Sequence, residues 1–250
     1  MVTFLRRGLL GALGALLLIG PAHAGDTKVA VAANFTEPAR EIAAAFQKVT
    51  GDTATLSFGA SGAFYTQMTQ GAPFDIFLSA DADRPKKIQE DGLGVPGSCF
   101  TYAIGRLVLY SATPGLVDPA GAVLKSGNFA RLSIADPQAA PYGLAAMQTL
   151  TRMGLLGALT PKIVKGSSIT QAYQFVATGA AELGFVALSQ VVAVPGGSRW
   201  VVPAGFHAPI EQQAVLLRVG APNPAARAFM KFLKSPPALA IIRRYGYETR

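Results

Sequence analysis

The chain has 250 residues, with 22 basic side chains against 14 acidic ones and a formal charge of +8. A chain of this length can bury one large core or two modest ones. Its positive charge would attract anions or an anionic membrane face. That charge is spread out: the densest runs, Arg84-Pro85-Lys86-Lys87 and Arg243-Arg244, are short, and no basic stripe with aromatics exists, which excludes a nucleic-acid surface. Cys99 is the only cysteine, so an intrachain disulfide is excluded, and it is read as a buried apolar thiol.

Residues 1–7 carry Arg6 and Arg7 and no acid, residues 8–20 are apolar and uncharged, and Pro21 precedes Ala22-His23-Ala24. These are the three regions of a secretory signal peptide, cleaved after Ala24. The apolar run falls short of the ~20 residues that a spanning helix needs. The surroundings of Arg6-Arg7 do not fit a twin-arginine signal, so general secretion is expected. The mature chain then starts at Gly25 and keeps one histidine, His207, so no His/Cys metal cluster can form.

Next, residues 28–32 read as a strand and the following segment, to Phe46, as a helix with Ile42, Ala45, Phe46 and Val49 on one face. A strand over 53–58, a helix over about 62–70 and a strand over 74–78 follow. Asp81 can cap a helix that ends near Asp91-Gly92. Residues 102–110 read as one longer strand. A second series then begins: strand 131–135, helix 142–153, strand 163–164, helix 168–178 and strand 183–187. Segments 200–203 and 214–219 are extended, and helices over 225–233 and 236–245 close the chain.

Strands alternating with helices predict an α/β fold of mostly parallel sheets flanked by helices. Two such series predict two lobes, with the closing helices returning to the first. Lobe I would comprise residues 25–104 and 205–250, and lobe II residues 105–204, joined by a double-crossover hinge near 104–107 and 200–205. Hinge closure around a ligand is an established binding mode.

Ligands of open parallel sheets sit at the carboxyl ends of the strands. Four junctions there are short and small or polar: Ala33-Asn34-Phe35-Thr36, Gly59-Ala60-Ser61-Gly62, residues 136–143, and Gly166-Ser167-Ser168-Ile169. Each opens a helix, whose first N–H groups are unpaired and carry the positive end of the helix dipole. Several aimed at one point make an anion site without Lys or Arg. Ser61 Oγ and the Asn34 amide can add donors. Such a site offers donors and almost no acceptors, which suits an oxyanion that carries no proton. Asn34, Ser61 and Ser168 also fit ordinary capping. Glu37 could close a capping box on Asn34 and bring a carboxylate near the anion, unless Pro38 moves the helix start to Thr36.

At these junctions the sequence resembles the periplasmic molybdate-binding proteins of ABC importers, members of the type II periplasmic solute-binding proteins. The matching stretches are Val29-Ala30-Val31-Ala32-Ala33-Asn34-Phe35-Thr36, Ser57-Phe58-Gly59-Ala60-Ser61-Gly62, and Gln70-Gly71-Ala72-Pro73-Phe74-Asp75-Ile76-Phe77-Leu78-Ser79-Ala80-Asp81. Asp136-Pro137, Pro141-Tyr142-Gly143, Glu182-Leu183-Gly184-Phe185-Val186-Ala187 and the ending Arg244-Tyr245-Gly246-Tyr247 follow in order. The resemblance covers the whole mature chain. It implies a two-lobed periplasmic-binding-protein fold that holds molybdate or tungstate through neutral hydroxyls and N–H groups, with no cofactor and no side-chain metal ligand. It places the ligand-binding residues at Asn34, Ser61, Tyr142 and Ile169. It also implies a monomer that delivers its anion to an inner-membrane ABC permease. Some members use a tyrosine hydroxyl where this chain has Ala187, and Tyr142 is expected to supply the missing hydroxyl.

Two alternatives compete. One is a binder of another oxyanion, such as sulfate. The other is an exported serine hydrolase, because Gly59-Ala60-Ser61-Gly62-Ala63 superficially resembles a nucleophile elbow; that motif needs Gly at position 63, and His207 is the only base in reach of the argument. The expectation is therefore a binding protein and not an enzyme.

Overall fold

The computed structural model describes residues 24–249; the signal-peptide reading of the first 23 residues lies outside them. The first series runs β1 (Asp26–Ala32), α1 (Thr36–Thr50), β2 (Thr53–Gly59), α2 (Ser61–Thr69), β3 (Ile76–Leu78), α3 (Asp83–Glu90) and β4 (Phe100–Gly105). The second runs β5 (Leu107–Ser111), α4 (Val123–Ser126), β6 (Leu132–Ala135), α5 (Pro141–Arg152), α6 (Leu156–Leu159), β7 (Ile163–Gly166), α7 (Ile169–Ala177), β8 (Leu183–Ala187), α8 (Leu188–Val191) and β9 (Ser198–Val201). The chain ends with β10 (Ile210–Leu216), α9 (Pro224–Phe232) and α10 (Pro236–Arg244).

Two five-stranded sheets result, ordered β2-β1-β3-β10-β4 and β7-β6-β8-β5-β9. In each, three strands pair in parallel and a fourth is inserted antiparallel to both of its neighbours: β10 in the first sheet and β5 in the second. Half of the pairings are thus antiparallel, more than the mostly parallel sheets expected. The expected single strand over 102–110 is two strands in different sheets, broken at Arg106. Both halves carry the same apolar pattern, and pattern reports burial without saying in which sheet. The short helices α4, α6 and α8 were not anticipated, because one turn leaves no periodicity to read.

Alternation along β1 sets the layers of the first lobe. Val29 and Val31 pack with Phe35, Ile42, Phe46, Phe229 and Ile242, so α1, α9 and α10 cover that face. Ala30 packs with Phe64, Met68 and Ile88 on the other. Phe46 and Phe229 meet edge to face, 5.2 Å between centroids, a geometry their ring quadrupoles favour. In the second lobe Leu109, Ile134, Leu150, Phe185 and Trp200 form one face, and that cluster extends across the cleft to Ala32, Ala33 and Ala80. Covering both faces of each sheet leaves the strand ends facing each other as the place where the two lobes meet.

Candidate functional site

The carboxyl ends of β1, β2, β3 and the starts of α2, α5 and α7 enclose one small cavity. It is lined by Ala32, Ala33, Asn34, Gly59, Ala60, Ser61, Ala80, Ala140, Pro141, Tyr142 and Ile169. The cavity is small, with about 10 Å³ of free volume, close to the least that holds one water-sized group. All four residues singled out in the sequence, Asn34, Ser61, Tyr142 and Ile169, stand around it, and no charged side chain does. A wider groove of about 370 Å³ beside it is lined by Asp81, Asp83 and Glu211, a poor setting for an anion.

Each lining residue has a local reason for its place. Ser61 opens α2, and its Oγ accepts the Ala80 N–H at 3.0 Å. That bond occupies a lone pair and leaves the hydroxyl proton free to donate. Pro141 stands at the first position of α5, where its missing N–H costs nothing. A side chain at Gly143 would meet the Ala135 carbonyl oxygen at 2.2 Å, so glycine is what lets α5 start against the end of β6. Ile169 opens α7, capped by Ser168, whose Oγ accepts the Gln171 N–H at 3.3 Å. Among the described residues the N–H groups of Ser61, Tyr142 and Ile169 have no acceptor. They are first-turn donors at helix N-termini, aimed at the cavity end of each helix.

Asn34 departs from the expected pattern. It lies in a 3-10 turn, Ala33–Phe35, and α1 begins only at Thr36, so Asn34 caps nothing. Glu37 accordingly points outward, 3.9 Å from Arg40, and no carboxylate enters the cavity. The Asn34 Nδ2 donates to Gln212 Oε1 at 2.8 Å and to the Tyr247 hydroxyl at 2.9 Å. Its side-chain N–H bonds are thus spent inside the protein, and Oδ1 is left without a partner among the described residues.

Beneath the cavity lies a buried polar network that the sequence reading missed. Gln212, fully buried, sits beside a bulge in β10 between Gln212 and Gln213; bulges re-aim side chains in this way. Its Nε2 donates to the Tyr142 hydroxyl at 3.3 Å, and the Tyr102 hydroxyl donates to its Oε1 at 3.1 Å. The Tyr247 hydroxyl donates to the Asn34 carbonyl at 2.8 Å. Burial pushes the Tyr247 phenol up to about 12, offset in part by its hydrogen-bond contacts with Ser189 and Asn34. Burial also raises Tyr102 and Tyr142 well above the usual tyrosine range. The Tyr142 hydroxyl is therefore engaged by Gln212 and Tyr247, and a side chain at Gly105 would collide with it at 2.1 Å. This corrects the expectation that it replaces the hydroxyl missing at Ala187: the donor that Tyr142 holds unengaged is its backbone N–H.

Several bonds join the lobes around the cavity. Gly62 N–H donates to Ala139 O at 2.9 Å, Arg84 Nη2 to Gln138 O at 2.8 Å, and Ser189 Oγ to Asn34 O at 2.8 Å. Arg84 is itself held by Asp81. Gln190 fixes the far wall, its Oε1 accepting Ala187 N–H at 3.0 Å and its Nε2 donating to Ile169 O at 3.2 Å. Away from the site, burial pushes the Cys99 thiol up to about 11, which keeps it protonated and unreactive.

Residues 27–248 match the family model of the bacterial extracellular solute-binding proteins. The chain is 57% identical over 242 residues to the molybdate-binding protein ModA of Rhodobacter capsulatus, covering 96% of each chain. It is 53% identical over 249 residues to the molybdate-binding protein ModA of Azotobacter vinelandii, covering 98% of this chain and 99% of that one. The solved periplasmic molybdate-binding protein of Azotobacter vinelandii superposes with a TM-score of 0.87 at 46% identity, covering 90% of this chain and 99% of the other. With this fold, this cavity and these relatives, the chain belongs to the bacterial extracellular solute-binding proteins.

Proposed function

We propose that this protein captures molybdate, and tungstate with it, in the interlobe cavity and hands it to an ABC permease at the inner membrane. The observation that carries the reading is a small cavity where the strand ends and helix starts of both lobes meet, lined by unpaired neutral donors and by no charged group. Ser61 donates through its hydroxyl and N–H, and Tyr142 and Ile169 through their N–H groups. Asn34 contributes once its amide and that of Gln212 turn end for end together. Gln212 Nε2 and the Tyr247 hydroxyl then donate to Asn34 Oδ1, Gln212 Oε1 accepts from Tyr142, and Asn34 Nδ2 is released to the anion. Residues 25–104 with 205–250, and residues 105–204, are the two bodies that close on it. The protein works as a monomer in the periplasm after cleavage behind Ala24. It is not an enzyme: His207 does not line the cavity and so cannot serve Ser61 as a base.

Thermal unfolding of the anion-free protein with molybdate, tungstate, sulfate or phosphate tests this. Ligand at 100 times its dissociation constant adds about 2.7 kcal/mol of stability. A shift with molybdate and tungstate is the expected result. Sulfate acting alone would move the assignment to sulfate, and no shift with any of the four would end the oxyanion reading.

A further inference from the structure

Ser189 belongs to α8 in the second lobe, yet its hydroxyl reaches a first-lobe residue of the cavity wall. Ser189 Oγ donates to the Asn34 carbonyl at 2.8 Å, the Tyr247 hydroxyl donates to the same carbonyl at 2.8 Å, and the two hydroxyls are 2.9 Å apart. The three groups are buried, Ser189 being 8% exposed, Tyr247 4% and Asn34 3%. Both lone pairs of one carbonyl are thereby filled, one from each side of the cleft. Gly246 supports the arrangement: its backbone runs so close to Leu188 that a side chain there would meet Leu188 Cδ2 at 2.7 Å. The C-terminal segment and α8 therefore touch directly beside Asn34.

We infer that Ser189 is a positioning residue for capture: its hydroxyl clasps the Asn34 carbonyl when the lobes close and holds the cavity shut. The inference rests on the oxyanion reading above. Ala187, two residues earlier, lacks the hydroxyl that the resemblance leads one to expect at the anion. Ser189 restores a hydroxyl contact between the lobes at one remove, on the backbone of a cavity residue. Like the Gln212–Tyr142 bond, and unlike those of Tyr102, which stay within the first lobe, the Ser189–Asn34 bond spans the two bodies that the hinge separates. When the lobes part, water replaces both partners. The bond then contributes to the closed state and hardly at all to the folding of either lobe. Its loss appears in the rate of anion release, because closing follows the encounter that sets the association rate.

Stopped-flow binding of molybdate to the wild type, Ser189→Ala and Ser189→Thr, together with denaturant unfolding of each protein without anion, tests the inference. Ser189→Ala should release molybdate about three- to tenfold faster, with the association rate and the anion-free stability unchanged, and Ser189→Thr should keep slow release. An unchanged release rate in Ser189→Ala would overturn it. So would a loss of anion-free stability that matches the loss of affinity, since that marks a merely structural hydroxyl. Failure of the wild type to bind molybdate would instead overturn the functional reading.

Discussion

At the scale of single residues the site works by leaving particular donors unspent. Ser61 shows how: Ala80 supplies the bond that its oxygen needs, so its proton is left over. Ser61→Ala should weaken molybdate binding by about 1.5–3 kcal/mol, the range for a hydrogen bond to a charged group, which isothermal calorimetry would read as roughly a ten- to hundredfold loss. The buried phenols make a separate prediction about pH. Below pH 10 Tyr247 is protonated whether folded or unfolded, and its contribution is intact. Above pH 10 the unfolded chain loses the proton, whereas the folded chain holds it to about 12, so stability falls as pH rises through that window. Tyr102 and Tyr142 are raised in the same direction by burial and add to the loss above pH 10. Denaturant unfolding at stepped alkaline pH should show this decline, and Tyr247→Phe should make it shallower between pH 10 and 12.

At the scale of elements, three helix starts converge because Gly62, Gly143 and Gly166 stand where a side chain would meet neighbouring backbone at 3.0, 2.2 and 2.7 Å. The sharpest case is Gly143, pressed on the Ala135 carbonyl. Gly143→Ala should displace the first turn of α5, costing about 1–3 kcal/mol of stability and carrying the Tyr142 N–H off the anion. A drop in both melting temperature and molybdate affinity would bear this out; an unchanged affinity would show that the Tyr142 N–H is not a ligand. Elements are also where the chain could be read in advance. Helical periodicity placed α5 and α7 to within a residue and ended α1 four residues early, at Phe46 instead of Thr50, and small polar junctions marked the strand ends. The break at Arg106 was not legible, because β4 and β5 share one apolar pattern although they belong to different sheets. The 3-10 turn at Asn34 was not legible either: an Asn before a helix reads as a cap, and only the start of α1 at Thr36 removes it from that role.

At the scale of the whole molecule, closure is a set of bonds between the lobes rather than a single lock. Arg84 is the exposed-side member, held by Asp81 and reaching the Gln138 carbonyl. Arg84→Ala should speed molybdate release several-fold, in line with the roughly 1.5–3 kcal/mol of a hydrogen bond from a charged donor less what rim exposure screens. Rapid-mixing displacement would measure it, and a changed association rate with constant release would argue against a closing role.

The sequence by itself determined the α/β alternation, the two series and the four small or polar junctions, within which the family resemblance marked Asn34, Ser61, Tyr142 and Ile169. These are local features, set by periodicity, helix starts and small residues within a few positions of one another. Only the tertiary structure decided which polar atoms are free to meet an anion. Gln212, Tyr102, Tyr247 and Ser189 lie up to 213 residues from Asn34 in the chain, and nothing near them in sequence marks them as partners. They take up the Asn34 amide and carbonyl and the Tyr142 hydroxyl. Hydrogen-bond capacity is finite, and how it is spent depends on neighbours that folding alone brings together.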